Sequence, residues 1–166
     1  MSITPLCALL TASLLLLGCH SSAPTEPTPT ATAANTPVTD ACQVLAPSEI
    51  SSVLGVSIDP GQHIPKASTI MCGWSKTGVV GDSIVILNFT KPDYFEKERD
   101  PQPRITMTPA PGIADDAYYI TSQFGTSLII KKGSTVISFA IRDKSIPSAA
   151  LMEKERALGL KAAARL

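Results

Sequence analysis

From residue 41 to the C-terminus the chain alternates apolar and polar positions with two different periods. Period two dominates the middle. Residues 135–141 are the cleanest case: Thr135, Ile137, Phe139 and Ile141 fall on one side, and Val136, Ser138 and Ala140, followed by Arg142, on the other. Successive side chains of a strand point to opposite faces, so this alternation predicts a strand with one side on a core. Residues 70–76 place Ile70, Cys72 and Trp74 on one face, while residues 83–90 are apolar on both, as in a central strand. Residues 116–121 and 127–131 add two strands. Residues 105–108 give a weak edge, interrupted by Pro109 and Pro111, because proline cannot donate to a ladder. Residues 56–59 fit a short strand before the turn Asp59-Pro60-Gly61, and Lys132-Gly133-Ser134 joins the last two strands as a hairpin.

Two segments read as helices. In residues 47–54, Pro47 suits the first turn, Glu49 supplies a capping carboxylate and Gly55 stops the helix. Ala46 stands where a capping Ser or Thr is expected. After Pro147 the period changes: Ala150, Leu151, Ala157, Leu158 and Ala162 share one face of a helix running to Arg165, weakened at Gly159. The charged segment 93–99 is helical or irregular. Short connections between strands imply antiparallel pairing. The expected fold is therefore α+β, an antiparallel sheet of about five or six strands with a short N-terminal and a longer C-terminal helix on one face.

The other end of the chain obeys different rules. Residues 6–17 are an apolar run of signal-peptide length, too short for the roughly 20 residues that span a bilayer. The run closes as Leu14-Leu15-Leu16-Leu17-Gly18-Cys19, the pattern of a lipoprotein signal cut before Cys19. Acyl chains such as palmitate on that cysteine and on the freed amine would anchor the protein stably, since two or more chains hold where one binds only marginally. An ordinary secretory signal with an incidental cysteine is the competing reading. Residues 20–40 hold four prolines and six threonines with Val38 as the only large aliphatic, too little apolar area to offset the entropy of ordering. They read as a disordered tether of up to roughly 65 Å, at about 3.1 Å per residue. The expected organisation is a signal at 1–18, a lipidated cysteine and tether at 19–40, and one domain at 41–166.

All 14 basic and 14 acidic residues follow Cys19 and cancel. No basic stripe with interleaved aromatics points to nucleic acid. Lys154, Arg156, Lys161 and Arg165, offset by Glu153 and Glu155, read as a solvated helix face. With Cys7 removed and Cys19 acylated, Cys42 and Cys72 remain, and in an oxidising compartment they form a disulfide. A zinc site is the alternative, but two cysteines thirty residues apart with only His63 between them lack paired-ligand spacing.

Candidate chemistry is sparse. The chain has two histidines and no Gly-x-Ser-x-Gly elbow: His20 lies in the tether and His63 in a proline-flanked loop, where solvation is expected. Asp115 and Asp116 are neighbours at a strand entrance, where carboxylates point apart and serve turns rather than acting across a cleft. Trp74, Tyr118 and Tyr119 are the residues for a binding surface. Trp74 shares a face with Cys72 and is expected in the core, while adjacent Tyr118 and Tyr119 must face opposite sides, one inward and one to solvent.

The pieces Asp40-Ala41-Cys42-Gln43-Val44-Leu45, Leu54-Gly55, Cys72-Gly73-Trp74, Gly112-Ile113-Ala114-Asp115-Asp116-Ala117-Tyr118 and the alanine-rich end at Ala164-Arg165-Leu166 resemble those of small bacterial envelope lipoproteins with an uncharacterised, sensor-like domain. The resemblance spans residues 40–166. It implies the Cys42–Cys72 disulfide and an antiparallel sheet backed by helices, and no activity. The expectation is a monomeric, lipid-anchored envelope domain without cofactor or metal. Its partners would be the membrane through Cys19 and an envelope protein, peptidoglycan or small ligand. An envelope hydrolase or enzyme accessory using carboxylates is the alternative. Replacing the lipidation site, Cys19→Ser, should release the protein from membranes or block its processing. Membrane fractionation with intact mass of the mature protein checks this, and an acyl-free wild-type mass would refute it.

Overall fold

The computed structural model describes residues 38–100 and 102–166. The signal at 1–18, Cys19 and all but the last residues of the tether lie outside the described residues. Two short helices, α1 (Ala41–Val44) and α2 (Pro47–Leu54), lead into strands β1 (Gln62–His63), β2 (Met71–Ser75) and β3 (Ser83–Thr90). Helix α3 (Pro92–Lys97) precedes β4 (Thr106–Pro109), β5 (Asp116–Ser122), β6 (Gly125–Lys132) and β7 (Thr135–Ile141), and α4 (Ser148–Ala163) closes the chain. The seven strands form one antiparallel sheet in the order β1-β2-β3-β7-β6-β5-β4. The fold class is as expected, with slightly more strands. The addition is β1, which pairs His63 with Cys72 but is too short to show any alternation. Residues 56–59 contribute a single bridge, Ile58 to Lys76, rather than a strand.

The local signals act as their chemistry dictates. Asp40 caps α1 by accepting from the Cys42 N–H at 2.8 Å. Glu49 reaches back to accept from the Ala46 N–H at 2.9 Å, one half of a capping box whose other half the alanine side chain cannot supply. Strand β3, apolar on both faces, sits inside the sheet between β2 and β7.

The N-terminal helices and α4 share one face of the sheet, as expected, and α3 adds cover on the other. The larger core packs Trp74, Leu87, Leu128, Ile130, Ile137 and Phe139 with residues of α1, α2 and α4. On the other face Phe95 of α3 packs on Tyr118, Ile129 and Val136. The register explains the division: Leu128 and Phe139 are partners on one face, Ile129 and Ser138 on the other.

Helix α4 departs from its expected face. Leu151, Glu155, Leu158, Gly159, Ala162 and Ala163 are buried, so the inward stripe includes a glutamate and the glycine. The basic residues read as a solvated face tie the helix down instead. Arg165 pairs bidentately with Glu49 at 2.8 and 3.0 Å and donates to the Val44 carbonyl, while Lys154 donates to the Val53 carbonyl at 2.7 Å. That pairing, first through the hydrogen bond from Arg165, lowers the Glu49 pKa.

The Cys42–Cys72 disulfide is formed, with its Cα atoms 5.1 Å apart. It staples α1 to β2 across 30 residues of sequence, a loop for which the chain-entropy model gives roughly 3–4 kcal/mol. Trp74 lies fully buried on the same sheet face.

At Gly159 the helix approaches the sheet so closely that an added Cβ would lie 2.6 Å from Leu128 Cδ2 and 3.2 Å from Ile130 Cδ1. Gly159→Ala would gain about 1 kcal/mol of helix propensity, yet overpacking a filled core costs about 1–3 kcal/mol. We expect net destabilisation of about 1 kcal/mol, measured by urea unfolding. A stabilised variant would show that the helix can move outward without loss.

Candidate functional site

The ladder between β6 and β7 runs from Lys132–Thr135 back to Leu128–Phe139 and stops there. Their other partners continue: β5 stays with β6 as far as Ser122–Gly125, and β3 with β7 as far as Val85–Ile141. Ser127 and Ala140 would form the next pair and Thr126 and Ile141 the one after, and the sheet splits between them. Ile141 N–H, left without a strand partner there, donates to Glu155 Oε1 of α4 at 3.2 Å.

A groove of about 690 Å³ occupies the split. Its walls are the β5–β6 turn with Thr126 and Ser127 on one side, and the segment from Ala140 through Ile146 on the other, with Ser148 and Leu151 of α4 closing one end. Phe124, at the tip of the turn, is 91% exposed. Its ring stands beside the concave wall formed by Ile146 and Leu151. The charges in the wall are not balanced. Asp143 is engaged by Lys76 at 2.9 Å and by the Ser145 hydroxyl and N–H; those hydrogen bonds, from Ser145 first, bring its pKa down to about 2. Arg142 and Lys144 form no ion pair among the described residues. The uncommitted charge of the groove is positive.

Behind this wall Glu155 is completely buried. One oxygen accepts from Ile141, and the other has no hydrogen-bond partner; the Thr126 hydroxyl in the groove wall is likewise unpaired. Removing the carboxylate from water raises its pKa from the ordinary 4.5 to about 7, offset only in part by the Ile141 N–H and, less, by the neighbouring Thr126 side chain. Periodicity could have placed residue 155 inward with Leu151 and Leu158, but its charge argued for solvent, and no local pattern announces a ladder that stops early.

The three aromatic candidates for a binding surface are all inside, Trp74 in the core as expected and the tyrosines on both faces. Trp74, Tyr118 and Tyr119 are all buried, and the solvent-facing tyrosine expected from strand alternation is absent because each sheet face carries its own helix. Tyr118 donates to the Phe95 carbonyl of α3 at 2.8 Å, and Tyr119 to the Met152 carbonyl of α4 at 3.0 Å. Burial raises the Tyr118 pKa to about 12. Only the edge of Tyr118 reaches a smaller hollow of about 310 Å³, with Arg99, Met107 and Pro109. Arg99 lies over the Phe95 and Tyr118 rings, 4.7 and 5.0 Å from their centroids.

Asp115 and Asp116 are used separately. Asp115 accepts from the Gly133 N–H at the β6–β7 turn, while Asp116 pairs with Arg99 at 2.6 Å. They do not converge on a cleft. His63 is not the solvated loop residue expected. Strand β1 holds it opposite Cys72, and its Nε2 lies 2.9 Å from Asp40 Oδ1. The hydrogen bond from His63 is the main cause of the lowered Asp40 pKa.

No protein-family model matches the chain, and no curated protein matches it either. Among the described residues no helix is long and apolar enough to cross a membrane.

The buried carboxyl makes a signed prediction. Folded Glu155 holds its proton to about pH 7, whereas an unfolded glutamate releases it near 4.5. The native state therefore binds more protons in that window, and its stability falls as pH rises through it. Glu155→Gln should remove this fall and leave the variant more stable than wild type above pH 7, by up to roughly 2–3 kcal/mol. Urea unfolding of both proteins between pH 4 and 8 measures the difference, and parallel profiles would refute it.

Proposed function

We propose that the protein is a lipid-anchored binding module of a bacterial cell envelope and that the groove between β6 and β7 receives its ligand. Cys19 would carry the anchor, and residues 20–40 the spacing that lifts the domain clear of the headgroups. The observation that carries the reading is the split in the sheet. A groove of about 690 Å³ falls within the size range of small-ligand sites. Its wall combines apolar surface from Phe124, Ile146 and Leu151 with the unpaired charges of Arg142 and Lys144.

That chemistry suits an extended ligand with a carboxylate at one point and an apolar group at another. Peptidoglycan stem peptides meet both requirements. The cations would draw the carboxylate in and the exposed Phe124 would cover the apolar portion, with further hydrogen bonds available from the backbone where pairing ends. Hydrolysis through paired carboxylates has no support from Asp115 and Asp116, each of which is committed to a separate structural contact.

Titrating isotope-labelled Cys19→Ser protein with peptidoglycan stem peptides tests the proposal by NMR. Shift changes should concentrate in residues 122–127 and 140–146. Combined Arg142→Ala and Lys144→Ala substitution should weaken binding about tenfold or more, as loss of charge-assisted hydrogen bonds of about 1.5–3 kcal/mol implies, and amidating the ligand carboxylates should have a similar effect. Changes confined to another surface, or affinity indifferent to both alterations, would sink it.

A further inference from the structure

The Cys42–Cys72 disulfide does not stand alone. Asp40, which caps α1, and His63, which β1 lays beside Cys72, both reach the same spot. The ligating atoms of Asp40, Cys42 and His63 all lie within 4.8 Å of one another, and Cys72 is bonded to Cys42. Three side chains of metal-ligating type, from α1, its cap and β1, thus meet at one point, and a fourth, Cys72 of β2, is bonded to one of them. Sequence spacing conceals this, because only Asp40 and Cys42 are neighbours, while His63 and Cys72 lie 21 and 30 residues beyond Cys42.

The set has the composition of a zinc site. Two cysteines, a histidine and a carboxylate are ligands that zinc takes in four-coordinate tetrahedral geometry. With bonds of about 2.0–2.3 Å, a tetrahedral zinc ion holds its donors roughly 3–4 Å apart, so Asp40, Cys42 and His63, within 4.8 Å of one another, need only small side-chain adjustments, and Cys72 joins them by turning its sulfur once the disulfide opens. The cysteine Cα atoms, 5.1 Å apart, let both sulfurs turn toward one ion without moving the backbone. Asp40 binds His63 and the Cys42 N–H through Oδ1 alone, leaving Oδ2 to take a metal. Asp40, Cys42 and His63 are half-buried, so an ion has a route in.

We propose that this corner is a redox-gated zinc site: closed while the disulfide is intact, and a four-ligand site of Asp40, Cys42, His63 and Cys72 once it is reduced. The electron balance is that of thiol–disulfide exchange. A dithiol reductant gives two electrons and two protons to the Cys42–Cys72 bond and becomes a disulfide itself. Zinc then binds the two sulfurs as thiolates, and their two protons pass to solvent. The ion replaces the covalent staple between α1 and β2 with a coordinate one, so the reduced domain keeps the link that the disulfide supplied.

Cobalt(II), a spectroscopic substitute for zinc, tests this on the full chain carrying Cys7→Ser and Cys19→Ser, so that only two thiols remain. After phosphine reduction and removal of the reductant, the chain should take up one cobalt with a thiolate-to-cobalt charge-transfer band and the d–d bands of a tetrahedral ion. The oxidised chain should not. His63→Ala and Asp40→Asn should each weaken cobalt binding by at least the roughly tenfold to hundredfold that even outer-shell losses cost; far-UV circular dichroism of the oxidised variants confirms that they fold. If the reduced chain unfolds without metal, cobalt should restore its spectrum. No uptake after reduction, failure of cobalt to refold an unfolded reduced chain, equal uptake by the oxidised chain, or affinities unchanged by both substitutions would each overturn the proposal.

Discussion

The ladder between β6 and β7 joins the two halves of the sheet, and its length governs what surrounds it. While it runs, Leu128–Phe139 and Ile130–Ile137 pair on the face that α4 covers, and the helix comes close enough that a side chain at position 159 would press on Leu128. Where it ends, β5–β6 and β3–β7 continue as separate pairs. The backbone donor of Ile141 then needs another partner, and a buried N–H left unpaired would cost about as much as a lost hydrogen bond. Glu155 supplies the acceptor from the helix. Groove, buried carboxylate and helix position therefore share one origin, and a residue that lengthened the ladder would remove them together.

Much of this fold was legible in the sequence, and the reasons for success and failure are local. Residues 135–141 alternate without interruption and form β7; Pro47, Glu49 and Gly55 mark α2 because helix ends have specific unmet donors and acceptors. The disulfide followed from counting cysteines under an assumed export. What escaped depends on contacts between distant segments. Two-residue β1 has no period to read, and it carries His63 to Asp40 across the chain. Tyr118 and Tyr119 face opposite sides as alternation requires, but whether a side is wet depends on α3, whose placement on the second face the segment 93–99 does not announce. The groove was not legible at all, since Phe124 and Arg142 lie 18 residues apart and meet only through the split.

The helices are held to the sheet by more than apolar packing. Tyr118 and Tyr119 project from one strand in opposite directions, and each ends on a carbonyl of a different helix. Arg165 and Lys154 reach carbonyls in or beside α1 and α2. These directional contacts fix how each helix is rotated on its face, which nondirectional hydrophobic contact leaves loose. For a sheet that must stay split at one end, fixed rotation keeps Glu155 under Ile141.

Trp74, the single tryptophan of the chain, shares its surroundings with the disulfide. A side chain at Gly61 would meet both Cys72 Sγ and the indole, at 2.6 and 2.7 Å, so sulfur and ring line the same small space. A disulfide quenches the excited state of a neighbouring indole by accepting an electron from it, and a pair of thiols does so less well. The domain consequently carries a built-in optical gauge of its own oxidation: its ultraviolet emission should be dimmer with the staple closed than with it open, with no label attached.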